Sequence, residues 1–123
     1  MDRTFLLIGS ALGFLGVAFG AFGAHALKTR LSADMLAVFE TGVRYQMYHA
    51  FAVLIVAAAI GQLGSARLLV LAGWSFAAGV LLFSGTLYAL AFTGIGVLGA
   101  VTPIGGLLFL AGWACLAIFA IAR

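Results

Sequence analysis

The sequence predicts an all-α integral membrane bundle of four transmembrane helices, with a short amphipathic helix between the first and second. Of its 123 residues, 66% are hydrophobic and 7% charged, too little polar side chain to cover a water-soluble domain of this size. Charge is also confined to a few places. Thr4 to Ala24 carries none, Tyr45 to Ala66 carries only the imidazole of His49, and Leu68 to Ala122 is uncharged throughout. A helix needs roughly 20 residues to cross the hydrocarbon core. The last run therefore holds two crossings and a short connection, each earlier run holds one, and residues 1–123 read as a single four-helix transmembrane domain.

The first crossing is expected from Thr4 to Ala26. Ala24-His25-Ala26 has the small-x-small form of a processing site, but the apolar run before it is longer than a signal-peptide core and is expected to stay as a span. Gly9, Gly13, Gly16, Gly20 and Gly23 recur at alternating spacings of four and three, which at about 100° per residue puts all five on one stripe. In lipid such a stripe lets a second backbone approach closely, so it reads as a helix-packing seam. The same geometry would also suit a groove for a lipid tail or an isoprenoid.

Lys28, Arg30, Asp34, Glu40 and Arg44 fall in the next stretch. Ser32 is placed to cap a helix, Leu31 and Leu36 to staple it, and Met35, Leu36, Phe39 and Val43 to form its apolar face. Asp34, Glu40 and Arg44 fall on the other side. This is an amphipathic helix at the membrane surface or tucked against the bundle, with Gly42 marking a bend into the second crossing, Tyr45 to Gln62. The turn Gly61-Gln62-Leu63-Gly64-Ser65 ends that crossing with glycines suited to a helix C-terminus. The third runs from Leu68 to Phe92, with Gly73, Ala77, Ser84 and Ala91 as a second small-residue face. Thr93 to Thr102 is the break in the last apolar run. Thr102-Pro103 is a good helix start, because threonine caps and proline needs no N–H in the first turn, so the fourth crossing is expected from Pro103 to Ala122.

Polar groups at membrane depth are costly unless partnered, which makes them the informative candidates. His25, Glu40, Arg44, Tyr45 and His49 form one candidate cluster. Glu40 and Arg44 are four apart and suited to pair on the amphipathic helix; Thr41, Tyr45 and His49 form a parallel ladder. If the connecting segment returns to the same surface, His25 and His49 lie at similar depth. The structural reading makes this cluster an anchor for the surface helix, with Tyr45 and Tyr48 at headgroup level; the functional reading makes it a site for a lipid headgroup or a quinone ring. Ser84, Thr86 and Tyr88 in the third crossing read as interhelical hydrogen-bonding groups.

Other function classes find little support. One cysteine, Cys115, permits no intrachain disulfide and reads as a packing residue, and with two histidines it makes no zinc pattern. No cofactor-binding motif is present. The six basic residues, Arg3, Lys28, Arg30, Arg44, Arg67 and Arg123, are dispersed at helix ends, which argues for topology signals and against nucleic-acid binding. They divide evenly between the two sides, and weighting those in short connections favours cytoplasmic termini. No carboxylate lies within a crossing, and no nucleophile stands beside a base, so the chain is expected to be non-enzymatic.

Several strings are more specific than composition: Gly20-Ala21-Phe22-Gly23-Ala24-His25, then Thr41-Gly42 with Tyr45-Gln46 and His49, then Phe83-Ser84-Gly85-Thr86-Leu87-Tyr88, then Thr102-Pro103-Ile104-Gly105-Gly106 and Gly112-Trp113. In this order, over nearly the whole chain, they resemble the bacterial membrane family called domain of unknown function 423, whose animal relatives are called transmembrane protein 256. The resemblance implies a small inner-membrane protein of four helices with cytoplasmic termini, and it implies no particular activity. The residues themselves favour a packing, lipid-binding or partner-binding module, whose partners are membrane lipids, a second copy of the chain or another membrane protein. The alternatives are an oligomeric small-molecule transporter or channel, and a quinone- or haem-linked protein using His25 and His49.

Overall fold

A computed structural model describes residues 2–123. Four long helices follow one another: α1 (Asp2–Phe22), α2 (Ala33–Leu63), α3 (Arg67–Thr93) and α4 (Leu98–Ala122), with a π-helical turn, Gly23–Leu27, extending α1. All four are long and apolar enough to cross a membrane. Their connections are too short for anything but antiparallel neighbours. α2 and α3 form the centre, α1 lies on α2, and α4 lies on α3. The core between them gathers Phe5, Val53, Val56, Leu69, Phe76, Val80 and Phe109. Leu7, Phe14, Leu81, Leu107 and Ile121 point outward and are exposed, as expected of side chains solvated by lipid tails.

The amphipathic segment is helical, but it is not a separate element. α2 continues from Ala33 to Leu63 over 31 residues without a break at Gly42. The predicted cap holds: the Met35 N–H donates to Ser32 Oγ at 3.1 Å. Leu31 and Leu36 both pack beside the small cluster of Leu27, Phe39 and Ala91. A continuous α2 arises because Gly42 is buried against α3, where a Cβ would lie 2.7 Å from the Tyr88 ring. The glycine serves close packing, so nothing there requires the helix to break.

The break before α4 is shorter than expected. α3 closes at Gly94, which adopts a left-handed conformation at φ 70° while its N–H donates to Leu90 O at 2.8 Å. Tight three-residue hydrogen bonds, Leu98 to Ile95, Gly99 to Gly96 and Ala100 to Val97, then open α4 at Leu98. Thr102 is therefore not a helix cap and Pro103 lies inside the helix. Thr102 is instead buried, its hydroxyl turned to α3.

Glycines set how closely the helices approach. Gly23 receives the ring of Phe39, Gly73 that of Phe5, Gly79 that of Phe109 and Gly112 that of Phe76. Gly105 lies against the backbone of Phe83 itself. Where a glycine removes a side chain, an aromatic ring from the facing helix fills the space and restores the dispersion contacts that drive association in lipid.

Candidate functional site

The predicted seam on α1 faces α2 at four of its five positions. A Cβ on Gly9 would meet Leu54, on Gly16 Met47, on Gly20 Val43 and on Gly23 Phe39, whereas one on Gly13 would meet nothing within 4 Å. The antiparallel register is thus fixed along the seam. It also exposes backbone carbonyls. Beside Gly16, the Leu12 carbonyl accepts a hydrogen bond from Gln46 Nε2 at 2.8 Å.

Gln46 belongs to a buried polar ladder that joins all four helices. Its Oε1 accepts from the Tyr88 hydroxyl at 2.6 Å, so this one amide links α1, α2 and α3. Ser84, fully buried, donates to the Gly42 carbonyl at 2.6 Å. Thr86 and Thr102 share a 2.6 Å hydroxyl contact between α3 and α4. Of the groups expected to bridge helices, Ser84, Thr86 and Tyr88 all do so. Gln46 and Trp113 also bond across helices, roles that the sequence reading does not give them, and Thr102, expected as a helix cap, bonds to Thr86 instead. The signal for Gln46 was its position as an uncharged amide inside an apolar run, where burial compels a partner.

His49 is held in an aromatic enclosure. Its ring stacks on Phe109 at 3.6 Å between centroids and 5° between planes, with Phe76 and Trp113 around it. Nδ1 lies 2.8 Å from the Tyr45 carbonyl, and Trp113 Nε1–H donates to Nε2 at 3.1 Å. A carbonyl only accepts and an indole N–H only donates, so both contacts are met by a neutral imidazole with its proton on Nδ1. Both ring nitrogens are thereby engaged in helix contacts.

The five residues of the predicted cluster are not brought together. His25 is exposed in the π-helical turn, while His49 is buried. Since Gly16 faces Met47 and Gly9 faces Leu54, His49 lies level with the middle of α1, about three helical turns or roughly 16 Å from His25. The two histidines therefore do not share a depth, and a haem- or quinone-linked pair does not fit this geometry. α2 continues unbroken through its amphipathic part, and His49 is buried in the bundle. Tyr45 turns to α3 and α4, its ring 4.7 Å from that of Phe83. Nor do Glu40 and Arg44 form the expected ion pair: both are exposed, and their side chains make no ion pair. Among the described residues no group of three His, Cys, Asp or Glu side chains is placed to hold a metal.

Glu40 and Arg44 instead border a groove between α1 and α2 of about 330 Å³, floored by Gly20, Gly23, Phe39, Val43 and Met47, with Tyr48 beside them. The missing side chain of Gly20 leaves it open, while the Phe39 ring lies against Gly23. A second recess of about 190 Å³ lies between α1 and α3, where Gln46, Ser84 and Tyr88 face Leu12, Leu15 and Phe19. Its polar groups already satisfy one another or adjacent backbone. The α1/α2 groove thus differs in offering charged groups with no protein partner above an apolar floor.

Comparison with known proteins agrees with this architecture. A family model described as "Protein of unknown function (DUF423)" matches residues 19–106. The chain is 40% identical to the UPF0382 membrane protein YwdK of Bacillus subtilis over 97% of each chain. It is 46% identical to a UPF0382 membrane protein of Haemophilus influenzae, over 95% of this chain and 93% of the relative. To the UPF0382 inner membrane protein YgdD of Escherichia coli it is 42% identical, over 98% of this chain and 92% of the relative. No solved structure matches. Four apolar helices of spanning length and relatives matched over almost their whole length make this chain a multi-pass membrane protein of the DUF423 family.

Proposed function

We propose that this chain is a non-enzymatic inner-membrane module that holds a phospholipid along the α1/α2 groove, with both termini on the cytoplasmic side. The observation that carries the reading is the groove itself. Gly20, Gly23 and Met47 give it an apolar floor, and Glu40 and Arg44 stand at its rim with no ion pair between them. An acyl chain satisfies such a floor, and a charged headgroup satisfies such a rim. The polar residues within the bundle support a binding role over a catalytic one, since buried Gln46, His49, Ser84 and Thr102, with half-buried Tyr88 and the exposed Trp113 as partners, are each engaged in holding helices together. The inner-membrane placement is supported by the relative named an inner membrane protein in Escherichia coli. Arg67 in a short connection supports cytoplasmic termini, which reporter fusions at the C-terminus would check.

Native mass spectrometry of protein extracted with its own lipids tests the binding reading. Wild-type protein should carry phospholipid. Gly20→Leu should remain folded and lose it, because a Cβ there fits at 3.4 Å from Val43 while the longer side chain fills the groove. Wild-type protein without bound lipid, or equal retention by the variant, would refute the reading.

A further inference from the structure

We infer that the groove selects an amine-bearing zwitterionic phospholipid of the phosphatidylethanolamine type, with Glu40 taking the ammonium and Arg44 the phosphate. The inference rests on the lipid-binding reading above and adds the headgroup class. α2 has 31 residues, which at about 1.5 Å each make a helix of roughly 46 Å, whereas the hydrocarbon core is about 30 Å thick. The excess of roughly 16 Å, about eleven residues, belongs at the charged end, because Asp34, Glu40 and Arg44 all precede Tyr45 and no charge follows to Leu63. The hydrocarbon boundary then falls close to Val43. Glu40 lies just outside it, Arg44 lies at it with a stem long enough to reach outward, and Tyr48 lies one turn inside.

That order matches the order of groups in such a lipid. From water inward, a phosphatidylethanolamine presents its ammonium, its phosphate, its glycerol esters and then its acyl chains. Glu40, Arg44 and Tyr48 are spaced one helical turn apart beside the groove, and the two-carbon link between phosphate and ammonium spans on the order of one turn, about 5 Å. Arg44 can grip a phosphate with two parallel N–H bonds. Glu40 accepts only, so it favours a cation that can donate. A primary ammonium has three N–H donors and the quaternary nitrogen of choline has none. A phosphatidylglycerol headgroup offers Glu40 no cation, and its phosphate charge is repelled by the carboxylate. The headgroup then lies over Gly20 and Val43, and the acyl chains continue inward past Met47. The absence of a Glu40–Arg44 bond leaves each side chain available for its own half of the headgroup.

The test uses delipidated full-length protein in detergent, offered equal amounts of phosphatidylethanolamine, phosphatidylcholine and phosphatidylglycerol with identical acyl chains, and read by native mass spectrometry. Wild type should retain the ethanolamine lipid over the choline lipid by roughly two- to fivefold, the range of an exposed ion pair. Glu40→Gln should bring that ratio to about one without reducing choline-lipid binding, and Arg44→Gln should reduce all three. Both side chains are exposed, so the variants should melt as wild type does. Equal retention of the three lipids by wild type, a preference for phosphatidylglycerol, or an ethanolamine preference that survives Glu40→Gln would overturn the headgroup assignment while leaving lipid binding intact. No retention of any lipid by wild type would overturn both.

Discussion

Replacing Gly105 by alanine should loosen the α3–α4 pair, because the space it occupies is bounded by backbone. A Cβ at that position would lie 2.8 Å from both Cα and Cβ of Phe83 and closer still to its backbone nitrogen. Ordinary contact begins near 3.4 Å, so the helices must part by at least about 0.6 Å. No rotamer change can relieve a clash with a helix backbone. The shift also stretches the 2.6 Å Thr86–Thr102 contact toward 3.2 Å and weakens the 3.6 Å stacking of Phe109 on His49. Overpacking of this kind costs about 1–3 kcal/mol, against which alanine returns up to about 1 kcal/mol of helix propensity. The neighbouring Gly106 supplies the control, since a Cβ there meets nothing within 4 Å. Reversible unfolding in mixed micelles should therefore show Gly105→Ala less stable than Gly106→Ala by about 1–3 kcal/mol. Equal stabilities would mean that the α3–α4 approach is not set by this glycine, and the account of rings and backbones packed onto glycines would fail with it.

Tyr88→Phe and Gln46→Leu should each destabilise, and a double-mutant cycle should give a coupling of about 0.6 kcal/mol and below about 1.7 kcal/mol; strict additivity would show that the 2.6 Å contact contributes nothing. Trp113→Phe leaves Nε2 of His49 without its donor, so it should cost about 1 kcal/mol in the wild-type background and less when His49 is already phenylalanine. Glu40→Ala and Arg44→Ala in lipid-free detergent should add within about 0.5 kcal/mol, as no ion pair joins them; a larger coupling would restore the pairing that their spacing suggests. Cysteines placed at Arg67 and Gly96, which flank α3, should label from opposite sides of the membrane, and labelling from one side would remove the four-crossing topology.

The existence of four crossings was decided by the sequence. Uncharged runs such as Leu68 to Ala122 leave a backbone in lipid no hydrogen-bond partners but its own, so helices are the only outcome. The local punctuation was legible for the same kind of reason: Ser32 can accept an N–H within its own turn, and Gly64 and Gly94 can adopt positive φ without a side-chain clash. What spacing could not reveal was which partner each polar group meets. Glu40 and Arg44 are four apart on a helix and still do not pair, because an exposed pair gains little and loses side-chain freedom. His25 and His49 flank one connection, yet the unbroken α2 separates them in depth. Thr102 and Pro103 carry the local marks of a helix start, but the Gly94 turn opens α4 earlier and turns Thr102 toward Thr86. Gln46, His49 and Trp113 acquire their roles from α1, α3 and α4 as packed around α2. Those contacts join residues far apart in the chain, and only the register of glycines against facing side chains determines which of them meet.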